Sequence, residues 1–265
     1  MPAPRRPDDR GEELAAAARD PNLTEDAAMA LLKNNSLPAD AVSLIAENPH
    51  LRGSYKIKRA SANHPNCPLK VALSFLKHLR IFDLADITRN RFVRGELRKK
   101  VELMIDERLS ALPSGVKIAL IRRSSPELIV RIMERSDSHV IAACLDSPLM
   151  TEARLYGMLV KRTTRAPLIR AVAEHPRWSL RYDIAMALVR NFHTPMERVV
   201  EFIQRLRATD LELLYQDPEL PSTTRPFIHQ ALLERASKPV PPEELPHDRH
   251  EIPEDADIGM MDDLT

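Results

Sequence analysis

Glu47–Leu84 reads ENPHLRGSYKIKRASANHPNCPLKVALSFLKHLRIFDL, and Glu174–Leu211 reads EHPRWSLRYDIAMALVRNFHTPMERVVEFIQRLRATDL. The second stretch repeats the first 127 positions later without a gap. Glu47, Pro49, Tyr55, Ile57 and Ala60 recur as Glu174, Pro176, Tyr182, Ile184 and Ala187. Pro68, Phe75, Leu79, Arg80, Asp83 and Leu84 recur as Pro195, Phe202, Leu206, Arg207, Asp210 and Leu211. Over Gly11–Ser110 against Ser138–Ser237, 23 of 100 positions are identical, where average residue usage gives roughly 6 or 7 by chance. Self-similarity at a fixed spacing is the mark of a repeat architecture.

Within the repeated stretch the apolar positions have helical spacing. Leu69, Ala72, Phe75, Leu76 and Leu79 fall three and four apart, and Met196, Val199, Phe202, Ile203 and Leu206 keep the same stripe in the second copy. What is duplicated is therefore a packing surface as well as the punctuation around it. That punctuation is proline: Pro68 and Pro195 open helices, and the residue before a proline is pushed out of helical geometry. Working outward, Asp20-Pro21, Asn48-Pro49, His64-Pro65, Ser147-Pro148, His175-Pro176 and Asp217-Pro218 are all helix stops. Thr24-Glu25 and Thr151-Glu152 cap the helices that follow. Arg80 with Asp83, and Arg207 with Asp210, read as structural pairs or caps because both copies keep them.

The composition agrees with a chain of short helices. Six glycines are few and 22 prolines many for 265 residues, which disfavours a glycine-rich nucleotide fold or an all-β design. We expect an all-α, right-handed α-α superhelix of about fourteen short helices built from two duplicated blocks. Its parts are an arm at 1–10, a first block at 11–110, connecting helices at 111–137 in the same stack, a second block at 138–237 and an acidic, proline-rich tail at 238–265. Arm and tail have too few apolar residues to offset chain entropy and are expected to be disordered. Cys67 and Cys144 lack any metal-binding or disulfide spacing and read as buried, reduced thiols. With no apolar run long enough to span a bilayer and no leader-like stretch, the expected location is cytoplasmic.

These short helices, closed by X-Pro and reopened by Thr or Pro, resemble α-solenoids of the HEAT-like and leucine-rich-repeat-variant class. Ala62-Asn63-His64-Pro65-Asn66-Cys67-Pro68 matches the variant repeat's pattern best. The resemblance covers residues 11–237. It implies a stacked-helix scaffold hosting unrelated binding tasks. The cysteine cluster found in some variant-repeat proteins is missing, so no iron–sulfur cofactor is implied.

The chemistry-bearing residues are sparse. No phosphate loop, nucleophile elbow or zinc-helix motif is present, and we expect no catalytic, cofactor or metal site. Some HEAT-like proteins are DNA glycosylases with an aromatic-plus-aspartate pocket, which Trp178 and Asp183 could supply; a chain only 4% aromatic is poorly furnished for that task. Charge is more informative. From Glu243 onward nine acids face one arginine, giving −8, so residues 1–242 carry +9 against a total of +1. Arg89, Arg91, Arg94, Arg98, Lys99 and Lys100 form a run containing one acid, Glu96, whereas Gln216–Phe227 in the second copy holds Asp217, Glu219 and a single cation, Arg225. Lys161, Arg162, Arg165 and Arg170 make a second cluster. A scaffold requirement would have kept such charge in both copies, so these ten residues are the candidate surface for an anionic partner.

The expected function is a non-enzymatic scaffold or adaptor that binds a protein or peptide. Its tail motif, Ile258, Met260, Met261 and Leu264 among acids, would act on that binding. The alternatives are nucleic-acid binding through the basic face and, further off, base excision.

Overall fold

The computed structural model describes residues 7–237 of the chain, and every regular element among them is helical. The first duplicated block comprises α1 (Pro7–Ala18), α2 (Glu25–Leu32), α3 (Ala39–Glu47), α4 (Tyr55–Ala62), α5 (Leu69–Leu76), α6 (Ile81–Arg89) and α7 (Gly95–Arg108). A single 3-10 turn, Leu109–Ala111, leads to α8 (Ser114–Ile121) and α9 (Pro126–Glu134). The second block repeats the series as α10 (Ser138–Leu145), α11 (Glu152–Leu159), α12 (Ala166–Glu174), α13 (Tyr182–Val189), α14 (Met196–Arg205), α15 (Ala208–Gln216) and α16 (Arg225–Ala236). The described residues hold sixteen α-helices, seven in each block and two between them, against the expected fourteen or so for the whole stack. The first helix starts at Pro7 and not at Gly11, because a proline is accommodated in the opening turn, where its missing N–H has no partner to lose.

The helices pack neighbour to neighbour, and no helix packs substantially beyond its second neighbour in the chain. This is the solenoid expected from the repeat. Its finer period is three helices: α2 packs on α4, α5 on α7, α8 on α10, α11 on α13 and α14 on α16. Three such units fill the 127-residue spacing at roughly 42 residues each, within the range of helical repeats built from two or three helices. The duplicated stripe is buried in both copies apart from its half-buried first members, Leu69 and Met196, with Phe75 and Phe202 in equivalent core positions on α5 and α14. Burying each phenylalanine contributes about 1.5–3 kcal/mol.

One turn design ends most of these helices. The side chain of a short polar residue accepts the backbone N–H two positions on, at Asp20, Asn34, Asn48, His64 and Asn90 in the first block. Ser147, His175, Asn191 and Asp217 do the same in the second. Such side-chain turns replace the next helical hydrogen bond and stop the helix. All six X-Pro stops supply the accepting residue. The residue three beyond the acceptor then turns inward: Leu23, Leu37, Leu51, Cys67, Val93, Met150, Trp178, Thr194 and Leu220 are all buried. Thr194 meets the core with a hydroxyl, which it neutralises by donating to the Leu188 carbonyl at 2.6 Å. Thr164, aligned with Leu37, does likewise to the Met158 carbonyl.

The recurring Tyr, Arg and Asp are one structural unit present twice. The Tyr55 hydroxyl on α4 donates to the Asp83 carboxylate and accepts the Arg80 backbone N–H at 3.0 Å, which ties α4 to the first turn of α6. Tyr182, Asp210 and the Arg207 N–H repeat the arrangement, again at 3.0 Å, between α13 and α15. Each arginine lays its guanidinium over the tyrosine ring, 5.1 Å and 5.2 Å from the centroid. The copies differ in who neutralises the aspartate. Asp83 pairs with Arg59 of α4 at 2.9 Å, whereas the second copy has Met186 at that place and Asp210 pairs with Arg207 at 2.7 Å.

The connecting helices are bonded into the same stack. Arg123 forks onto Asp86 of α6, Ser125 donates to Glu102 of α7 at 2.7 Å, and the Ser125 N–H reaches the Thr88 hydroxyl at 2.9 Å.

Candidate interaction grooves

Grooves open where successive helices end beside one another. The ends of α11, α13 and α15 border a groove of about 560 Å³ lined by Val160, Lys161, Arg162, Arg190, Phe192 and Asp217, among others. Its ionic groups are engaged: Arg162 pairs with Glu219, Arg190 with Asp217 at 3.1 Å, and Lys161 with Glu134 at 3.7 Å. Arg165 donates to the carbonyls of Glu134 and Ser136 at 3.2 and 3.5 Å and so caps the end of α9. Of the second basic cluster Lys161 and Arg162 are in ion pairs, Arg165 is held by backbone carbonyls alone, and Arg170, exposed on α12, has no ion pair among the described residues. The lips of this groove are apolar, with Phe192 75% and Val160 51% exposed.

The first basic cluster is more open. Arg89 donates to the Arg122 carbonyl at 2.7 Å and borders a groove of about 470 Å³ with Ile118, Ile121, Ala143 and Leu149. Arg91, Arg94, Lys99 and Lys100 are exposed and make no ion pair among the described residues, while Arg98 is half-buried with its Nε unpartnered. Phe92 stands among them, 69% exposed. Only Arg89 of the first cluster lines the groove of about 470 Å³ and only Lys161 and Arg162 of the second line the α11–α15 groove, and none of the grooves described holds residues of both. The tail motif Ile258, Met260, Met261 and Leu264 lies outside the described residues.

Trp178 and Asp183 do not face a common pocket. The tryptophan is 1% exposed, occupies the inward position of the α12 turn and donates its indole N–H to the Leu145 carbonyl at 2.9 Å. Arg177 covers its ring with a guanidinium 4.3 Å from the centroid. Asp183 is exposed in the first turn of α13. The first copy seats Leu51 at the tryptophan's position, so the indole is a larger filling of a standard core site. Cys67 and Cys144 are free and buried, and burial pushes both thiols up to about 12. Among the described residues no three of His, Cys, Asp or Glu cluster as metal ligands, and no helix is long and apolar enough to cross a membrane.

A third groove, of about 710 Å³, carries cations that the sequence reading passed over: Arg52, Lys58, Lys70 and Lys77 at the junction of α3, α4 and α5. They are scattered over 26 positions and form no run. The comparison of copies would have found them, since Ser179, Ala185, Glu197 and Gln204 stand in their places.

Comparisons of the chain with protein-family models, with curated proteins and with solved structures return no match. Its class therefore rests on its own geometry: an all-α protein whose helices pack neighbour to neighbour as a solenoid, with grooves at the helix ends.

Proposed function

We propose that the chain is a non-enzymatic helical-repeat adaptor of the HEAT-like, leucine-rich-repeat-variant or armadillo-like kind, and that it binds a protein or peptide in the grooves between helix ends. Three-helix units of roughly 42 residues favour the armadillo-like member of that group. The observation that carries the reading is the groove beside α11, α13 and α15, where Phe192 and Val160 are presented to solvent around ion pairs that are already satisfied. Exposed apolar side chains rimmed by polar groups suit burial against a partner. The acidic tail modulates that binding, and two buried free thiols suit a reducing, cytoplasmic setting. Affinity capture from native lysate with the wild type and with Phe192→Asp tests this. A partner held by the wild type and lost by the variant, with unchanged circular dichroism, supports it; identical capture by both removes the groove from the function.

A second reading is favoured by one observation, the four exposed cations Arg91, Arg94, Lys99 and Lys100 that lack ion pairs among the described residues. Nucleic acid held there would be gripped by its phosphates and released by salt. A gel shift at two salt concentrations decides, and no shift at the lower one ends this reading.

A further inference from the structure

The groove at α3, α4 and α5 has a counterpart in the second copy, and the two are built differently. In the second copy Arg198 and Arg205 lie across the corresponding space: Arg198 donates to the Ala173 carbonyl at 3.0 Å, and Arg205 to the carbonyls of Ser179 and Leu180 at 3.1 and 2.8 Å. The first copy has Val71 and His78 at these positions, and the space is open. Around it stand Arg52, Lys58, Lys70 and Lys77, none in an ion pair among the described residues. Glu47 is the one acid lining the groove. Even with the half charge of the α3 C-terminus added, an excess of roughly two to three positive charges remains. The fold does not require them, because the second copy folds with neutral or acidic residues there. Lys58 is half-buried and has no ion-pair partner among the described residues.

We propose that this groove receives the chain's own acidic segment, residues 243–265. It deepens the adaptor reading by giving its tail a receptor. The charges are complementary, −8 in the segment against four unpaired cations in the groove. The floor of Ala46, Val71 and Phe75 is apolar, and the segment sets Ile258, Met260 and Met261 between Asp257, Asp262 and Asp263. A nucleic-acid backbone brings no apolar group to such a floor. Reach is sufficient: the 20 residues from Ser237 to Asp257, extended, span roughly 68 Å. From α16 back to α7 is three repeat spacings of roughly 10 Å, and α5 packs directly on α7. Tethering raises the segment's effective concentration to roughly millimolar, so modest affinity keeps it docked.

Full-length protein labelled with a fluorophore at a new cysteine, Thr265→Cys, tests the proposal, because Cys67 and Cys144 are buried and their thiols are protonated at neutral pH. The expected result is a high dye anisotropy that falls as salt rises from roughly 0.05 to 0.3 M. It also falls at low salt in Lys58→Glu/Lys70→Glu/Lys77→Glu and on adding unlabelled synthetic peptide 243–265. Lys70→Glu alone, which installs the residue the second copy tolerates as Glu197, lowers it part of the way if the triple variant fails to fold. Wild-type anisotropy in both groove variants overturns the proposal. So does an equal loss in Arg91→Glu/Arg94→Glu/Lys99→Glu, which would mean general attraction to any basic face. A single-stranded oligonucleotide that binds the groove while the tail stays mobile overturns it in favour of nucleic acid. The readout is docking and not partner capture, so its failure leaves the Phe192 test standing.

Discussion

At the scale of single residues, the Tyr-Arg-Asp unit shows how one interaction is kept while its parts are exchanged. Asp83 is neutralised by Arg59, which leaves Arg80 stacked on Tyr55 without a carboxylate; Asp210 has no such neighbour and takes Arg207 itself. Arg59→Met, copying the second block, should therefore cost under about 1 kcal/mol, because Arg80 can swing to Asp83 as Arg207 does. Arg80→Ala should also be mild, yet the double variant should lose about 0.5–3 kcal/mol more than the sum. Urea titrations of the four species measure this, and simple additivity would contradict it. The Tyr182 hydroxyl first, and Arg207 second, hold the Asp210 carboxyl below the usual carboxylate range. Its folded pKa lies below its unfolded one, so the stabilisation is full above roughly pH 4 and is lost as pH falls through the folded value. Asp210→Asn should flatten the acid limb of a stability-against-pH curve; an unchanged slope would show that other groups govern it. The recurrence of these residues was visible in the sequence, but the partner of Asp83 was not. Arg59 lies 24 positions away, in a place the second copy fills with methionine, so no repeated pattern pointed to it.

At the scale of the element, the unit of construction is the turn together with its inward residue. The six X-Pro stops could be read directly, because proline's effect on its predecessor is local. The matching stops at Asn34, Asn90 and Asn191 carry no proline and gave no comparable signal. The three-helix period was hidden for a related reason: α7 is 14 residues long and runs into a 3-10 turn where its counterparts end in a polar side-chain turn. The two halves of the turn should differ in weight. Asn34→Ala removes one exposed side-chain hydrogen bond and should cost about 0.5–1.5 kcal/mol. Leu37→Ala empties a fully buried site and should cost about 2–5 kcal/mol. Comparable losses in chemical denaturation would mean that the acceptor, and not the inward residue, holds the turn. Trp178 belongs to this scale too. As an isolated aromatic it invited a base-binding reading, and as the inward residue of a turn it is core.

For the whole molecule, the thiols report on integrity. Cys67 is the inward residue of the α4 turn and Cys144 lies on α10 of the second block, and burial raises both. A thiol reagent at mildly alkaline pH should find neither in the native protein and both after denaturation. Reaction of one before the other would show that the two blocks open separately. The helical class and the duplication were open to a reader of the sequence because both are periodic properties. The α3–α5 groove was not, because its cations become neighbours only when three helices are stacked. The duplicate is what gives such a surface its meaning, since it shows the same scaffold managing without a cation at any of those four positions.

Helix packing that stays essentially within second neighbours bears on how the chain comes apart. A sphere-like domain fastens its beginning to its end and fails all at once, but among the described residues no substantial helix packing joins the first helices to the last. Tugged from both extremities it should lengthen like an unzipping ribbon, shedding its three-helix segments one after another while those further along keep their shape.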